Sequence, residues 1–192
     1  MKKILFEILF KKEIEFYLKK IGEQHIEIIN RNKKIEDYKE LIEKEHKLIN
    51  EIGVLKKGYE IIAVDTNKWN RTVYVAKNRF GNSLDLELYD IYYRHGHSIP
   101  KIECIVHKQE KYIEIADFHS IEKGIKNGYI LMKSLISYAK LININYLSGE
   151  LSPVDAENFD YLEGYYKRFG FEVSFKSKNR NEGGWIKLDL KK

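Results

Sequence analysis

The hydrophobic period of the chain changes once, at Gly53, and that change constrains the fold more than any other feature. Before it, apolar residues at Ile14, Tyr17, Ile21, Ile28, Ile35, Tyr38, Ile42, Ile49 and Ile52 follow alternating steps of three and four. Gln24, Arg31 and Glu45 interrupt the series, so this is a broken heptad pattern on helix. Glu7–Lys11, Glu15–Lys19, Glu40–Lys44 and Glu43–Lys47 are spaced for favourable i,i+4 pairing. Gly22 and the polar run Asn30-Arg31-Asn32 are the expected break points, giving two helices or one long interrupted one. Residues 1–52 therefore read as a helical arm. Packing of the arm on its own domain and a coiled-coil contact with a partner or a second copy are both open.

After Gly53 the period is two. Residues 59–65, 72–77, 84–93, 102–107 and 112–118 alternate β-branched or aromatic residues with polar ones, as strands do. Arg79-Phe80-Gly81-Asn82 and Lys108-Gln109-Glu110-Lys111 carry turn chemistry, so an antiparallel meander is expected. From 128 to 141 a helical stripe returns with Leu131, Met132, Leu135, Tyr138 and Ala139. A strand at 145–151 follows. A second stripe, Phe159, Leu162, Tyr165, Tyr166 and Phe169, has Asp155 as expected N-cap and Gly170 as stop. Phe171, Val173 and Phe175 alternate, and so do Ile186, Leu188 and Leu190. Residues 53–192 thus form an α/β (α+β) domain, a mixed central sheet with crossover helices.

Composition removes several classes of function. A chain of 192 residues with 43% hydrophobic content can bury a core, so it is not disordered as a whole. One cysteine, Cys104, excludes an internal disulfide and a Cys-only zinc site, in keeping with a reducing, cytoplasmic setting. His95, His97, Cys104 and His107 are zinc-ligating types, but Cys104 and His107 lie three apart on one strand and point to opposite faces, so no metal site is expected. Cys104 shares the apolar face of Ile102 and Val106 and reads as core. No segment is expected to span a membrane. The start imitates a signal peptide, but Glu7 breaks the apolar stretch and no small-residue cleavage site follows. Lys and Arg number 34 against 29 Asp and Glu, a mild and dispersed excess. It suits an anionic ligand better than nucleic acid, which usually meets a denser basic stripe.

The informative stretch runs from Tyr112 to Phe171. A strand ends at Phe118 and leads through Lys123-Gly124-Ile125-Lys126-Asn127-Gly128 into a helix beginning near Tyr129. A helix start presents unpaired N–H groups and the positive end of the macrodipole, and glycines let a phosphate approach them. Such lysines are equally at home on a solvated surface. The arrangement resembles the GNAT superfamily of acyl-CoA-dependent N-acetyltransferases. There a strand precedes Arg/Gln-x-x-Gly-x-Gly/Ala at a helix start, and a later Asn-containing helix ends in Tyr-x-x-x-Gly-Phe. Lys123 to Gly128 align with the first pattern. Asn158 and Tyr166-Lys167-Arg168-Phe169-Gly170-Phe171 match the second, over roughly residues 100–190. Two departures stand out. Lys126 occupies the first motif glycine, so the cradle motif is degraded. The helices that usually follow the family's first strand come before it here, as an extra N-terminal arm, so either they fill the same space or the acceptor site is differently built.

The resemblance implies a GNAT-like fold and transfer of an acetyl group from acetyl-CoA, as cosubstrate, to an amine. It implies that Ala116, Asp117 and Phe118 bind the pantetheine arm through their backbone. Lys123, Gly124, Ile125, Lys126, Asn127, Gly128 and Tyr129 would hold the pyrophosphate. Asn158 would position the cofactor, and Tyr166 would protonate the departing thiolate. A core aromatic on the helix stripe is the plain alternative for Tyr166, as Tyr165 beside it shows. Deprotonating the amine needs a carboxylate, for which Glu114, Asp117 and Glu150 are candidates, Glu150 at the end of its strand being the preferred one. Strand alternation places Glu114 and Asp117 on opposite faces. Two other readings stay open: a catalytically weak GNAT-like interaction protein whose arm binds a partner, and a nucleic-acid module using Tyr92, Tyr93, Arg94 and Lys101. A homodimer through the arm is compatible with the acetyltransferase reading.

Overall fold

A computed structural model of the chain describes residues 2–55, 58–91, 99–122, 124–178 and 180–191, with 2–9, 54 and 55 described as backbone only. The chain divides into two compact units, 1–47 and 48–192.

Helix α1, Lys2–Asn50, is unbroken and runs into a wider π-type turn at Glu51–Leu55. The expected breaks at Gly22 and at Asn30–Asn32 do not occur. A glycine inside a helix costs only about 1 kcal/mol relative to alanine, and the flanking Lys, Glu, Leu and Ile are adequate helix formers. The Arg31 guanidinium bonds the Glu27 carboxylate at 2.7 Å across the second suspected break. Lys44–Glu40 at 2.6 Å is one of the pairs the spacing implied. On the first unit Ile14, Ile21, Ile28, Ile35 and Ile42 recur every seventh residue, and each is 45–61% exposed.

The second unit is built on one eight-stranded sheet in the order β1-β2-β3-β4-β5-β6-β8-β7. Its strands are β1 Tyr59–Thr66, β2 Thr72–Phe80, β3 Ser83–Tyr89, β4 Lys101–His107, β5 Tyr112–His119, β6 Tyr146–Leu151, β7 Glu172–Phe175 and β8 Gly184–Asp189. The first five form the expected antiparallel meander. Helix α2, Asn127–Leu141, crosses from β5 to β6, which pair in parallel, and helix α3, Phe159–Lys167, connects β6 to β7. The part of the expected third strand beyond Ile91 lies outside the described residues.

Alternation sorts each strand into two faces. Val73, Val75, Leu84, Leu86, Leu88, Ile102, Cys104, Val106, Ile113 and Ile115 face α2 and α3 in the main core. They meet Leu131, Met132, Leu135, Phe159 and Tyr166 from the helices. Removing this apolar surface from water, at about 25 cal/mol per Å², is what holds sheet and helices together. On the other face, Leu48 and Ile52 pack with Tyr74, Ala76, Tyr89 and Ile99 in a smaller cluster. Asp155 is not the cap of the second helical stripe. It lies in a 3-10 turn, Pro153–Asn158, whose N-cap is Ser152, with Oγ accepting from the Val154 N–H at 3.3 Å. Proline at the first position fixes that turn before α3 begins. Gly170, at φ +87°, is the expected stop.

Candidate active site

The first half of the site is the start of α2. Its N-cap is Lys126, in the left-handed conformation (φ +80°, ψ −2°), and no side chain caps the helix. The first intrahelical bond from this end is Ile130 N–H to Lys126 O at 3.0 Å, so α2 itself cannot satisfy the N–H groups of Asn127, Gly128 and Tyr129. Gly128 lets this turn lie against the end of β5. A Cβ there would come within 3.1 Å of Ser120 Cβ and 3.2 Å of Phe118 Cζ. Tyr165 O–H donates to Gly128 O at 2.8 Å and ties the turn to α3. Asn127 is 1% exposed, and its Nδ2 has no hydrogen-bond partner among the described residues.

Around the turn lies a cavity of about 330 Å³, walled by Lys68, Gly124, Lys126, Asn127, Gly128, Tyr129, Tyr165 and Arg168, among others. Ile125 is buried under it. N–H groups that α2 leaves unbonded, a buried amide and cations on three separate elements fit a diphosphate. Lys126, on the cavity wall, also reaches β1. Its Nζ lies 3.5 Å from Thr66 O and 3.7 Å from Asp65 Oδ1, back toward the end of β1. Lys123 lies outside the described residues. Lys68, from the β1–β2 turn, and Arg168, two residues past Tyr166, were not anticipated. Arg168 sits inside the Tyr-x-x-x-Gly-Phe run, so its position was available; Lys68 is brought in by tertiary packing alone.

The second half is a gap in the sheet. β5 and β6 pair from Tyr112↔Tyr146 to Ile115↔Gly149 and no further. Beyond that point β5 stays with β4, and β6 stays with β8 through Glu150↔Trp185 and Leu151↔Gly184. Gly149 permits the last close contact, since a Cβ there would stand 3.0 Å from Ile115 O. A cleft of about 290 Å³ opens between the parted strands, walled in part by Ala116, Asp117, Phe118, Glu150, Asn158 and Tyr166. It shares Ser120, Tyr161 and Tyr165 with the first cavity, so the two are neighbouring parts of one groove.

A bulge shapes the cleft. Glu103 opposes Asp117 and Cys104 opposes Ile115, which leaves Ala116 as the extra residue of β5. The expectation that Glu114 and Asp117 face opposite ways is therefore wrong. The inserted residue shifts the alternation, and both side chains share the face of Glu103 and Ile105. Glu114 lies 3.0 Å from His107 Nε2, and Asp117 lies 2.6 Å from His119 Nε2. The Phe118 N–H donates to Asp117 Oδ1 at 2.7 Å. Glu150 is held by Lys176 Nζ at 2.6 Å.

Tyr166 is 5% exposed, on the cleft wall, with its ring edge-on to Phe171. Burial pushes its phenol well above the ordinary tyrosine range, so it remains a neutral O–H donor at physiological pH. Tyr165 beside it is spent on Gly128 O. Cys104 is buried and its thiol is also pushed up by desolvation, which removes it as a nucleophile. Among the described residues no group of three or more His, Cys, Asp or Glu is placed to hold a metal. His95, His97, Tyr92, Tyr93 and Arg94 lie outside them. No described helix is long and apolar enough to cross a membrane.

No protein-family model and no curated protein matches the sequence. Solved structures do match the fold. The GNAT domain of S. lividans PAT aligns at 9% identity and TM-score 0.51, over 67% of this chain and 96% of that one. Nourseothricin acetyltransferase aligns at 14% identity and TM-score 0.45, over 69% and 88%. PaiA N-acetyltransferase from Thermoplasma acidophilum, in complex with coenzyme A, aligns at 14% and 0.42, over 56% and 61%. The fold is that of the GNAT superfamily.

Proposed function

We propose that the protein is an acyl-CoA-dependent N-acetyltransferase that moves an acetyl group from acetyl-CoA to a primary amine within a ternary complex. The observation that carries the reading is the parting of β5 from β6 beyond Ile115 and Gly149, with Tyr166 on the wall and the open start of α2 adjoining. That groove offers a slot for an extended arm and an anion site at the arm's far end. Asn127, Gly128 and Tyr129 N–H groups would hold the pyrophosphate, with Gly124 and Ile125 shaping the loop. The pantetheine arm would lie along Ala116 and Asp117 as an added strand, beside Asn158. Bound there, acetyl-CoA supplies the activated acyl group.

The amine nitrogen then attacks the thioester carbonyl carbon. A C–N bond forms, the C–S bond breaks, and the proton lost from nitrogen passes to a carboxylate, directly or through water. Glu150 is our assignment, held at the cleft edge by Lys176. Orientation of the two reactants and polarisation of the carbonyl by a strand N–H would account for the acceleration. The phenol of Tyr166 is raised above a thiol in its hold on the proton. It therefore stabilises the departing sulfur as a hydrogen-bond donor, rather than by complete proton transfer. The test is release of free thiol from acetyl-CoA in the presence of a panel of amines. Turnover that depends on the amine and falls with Tyr166→Phe supports the proposal; none with any amine speaks for the second reading.

In that second reading the protein binds a partner through its arm. The exposed isoleucine line from Ile14 to Ile42 favours it, because an isolated helix draws little stability from propensity alone and most of it from covering an apolar face. The arm serves equally to pair two copies of an active enzyme.

A further inference from the structure

The β1–β2 turn is fastened to the cradle. Lys68 N–H donates to Ile125 O at 3.1 Å, and Asn67 Nδ2 donates to Asn127 Oδ1 at 3.4 Å. Asn67 is itself 4% exposed, and its Oδ1 accepts from the backbone N–H groups of Trp69 and Arg71, which locks the turn. Lys126 reaches the same segment from the other side, at Thr66 O and Asp65. These four contacts fix residues 65–68 against residues 125–127, and Lys68 lies on the cavity wall. Lys68 has no acidic partner among the described residues, whereas Lys126 and Lys133 both approach Asp65, at 3.7 and 3.8 Å. Asn127, whose Nδ2 is buried with no hydrogen-bond partner among the described residues, lines the same cavity.

We propose that the β1–β2 turn is a working wall of the phosphate site and that Lys68 is a ligand of the cofactor's diphosphate. Asn67 positions it through Asn127. The inference rests on the coenzyme A reading. Its chemistry is that of a mobile ammonium beside a row of backbone N–H donors, with the turn bound to the loop so that the charge is held over the anion. The division of labour between the two lysines follows: Lys126 ties the loop to β1, and Lys68 meets the phosphates.

Titration calorimetry of the full chain with coenzyme A tests this, with S-acetylpantetheine, which lacks the diphosphate, as second probe. Lys68→Met should weaken coenzyme A binding about tenfold and flatten its salt dependence, while binding of S-acetylpantetheine stays the same. Lys133→Met removes a neighbouring charge outside the cavity and should change coenzyme A binding less than twofold. Asn67→Ala should weaken coenzyme A binding with unchanged salt dependence, since the charge is kept and its placement is lost. Thermal unfolding of each variant confirms that it folds. Wild type that binds coenzyme A with Lys68→Met equal to it overturns the role of Lys68 and leaves the cofactor reading standing. An equal loss in Lys133→Met also overturns it, because the effect is then general charge. Wild type that binds neither probe overturns the cofactor reading and this inference together.

Discussion

Lys126 shows how much one backbone angle decides. At φ +80° it holds a conformation that glycine adopts freely and that costs other residues about 1 kcal/mol. It stands where the resembling motif has glycine, so the loop keeps the motif's shape without its residue. Lys126→Gly should therefore raise unfolding stability by about 1 kcal/mol, less the weak exposed contact to Asp65. Lys126→Ala keeps the strained Cβ and loses the contact, so it should lower stability. Urea unfolding of the two variants reads the sign directly, and equal shifts would remove the strain argument. The adjacent tyrosines separate in the same way. Tyr166→Phe should lower turnover about a hundredfold with acetyl-CoA binding kept, as loss of a donor to the leaving sulfur demands. Tyr165→Phe loses the bond to Gly128 O and should cost about 1 kcal/mol of stability.

Among the elements, those whose signals are local were legible in the sequence. The switch from heptad steps to alternation located the arm and the meander, and the aromatic stripe located α3. The bulge at Ala116 was not legible. Nothing in Tyr-Ile-Glu-Ile-Ala-Asp-Phe marks an extra residue, because a bulge is set by the register with β4. Its consequence was large, since it turned Asp117 to the face of Glu114. Lys68 was hidden for a similar reason: Asn67 and Asn70 announce a turn, but not the loop on which the turn docks. The close approach at Gly128 makes an element-scale prediction. Gly128→Val should destabilise by about 1–3 kcal/mol through overpacking against Ser120 and Phe118, and should abolish coenzyme A binding in whatever fraction stays folded. For α1, Ile28→Asp with Ile35→Asp should convert a dimer to monomer in sedimentation, without change in coenzyme A affinity. A chain already monomeric before substitution removes the second copy as the occupant.

For the whole molecule, the buried hydroxyl and thiol groups set the alkaline limit. Cys104, Tyr165 and Tyr166 are all pushed up by burial, and Tyr59 reaches about 12. A group raised in the folded state stabilises the fold fully below its unfolded value and loses that contribution as pH rises toward the folded one. The unfolded values are near 9.0 for the thiol and 10.0 for the phenols. Stability should therefore hold from neutral pH to about 9 and then fall, each fully buried group contributing up to about 1.4 kcal/mol per pH unit. Urea midpoints between pH 7 and 11 check this, and a constant midpoint above pH 10 would contradict it. At this scale the class of fold was legible because the order of strands and helices is written in local periods. The groove was legible only through the resemblance, because it is made by two strands that stop pairing.

The central claim is that this groove takes a coenzyme A thioester. Thermal unfolding with and without acetyl-CoA, with ATP as a phosphate control, tests it most directly. At a hundredfold excess over its dissociation constant the ligand adds about 2.7 kcal/mol to stability, an upward shift of several degrees. The account predicts that shift with acetyl-CoA and not with ATP. No shift over a broad concentration range, or an equal shift with both, would contradict it.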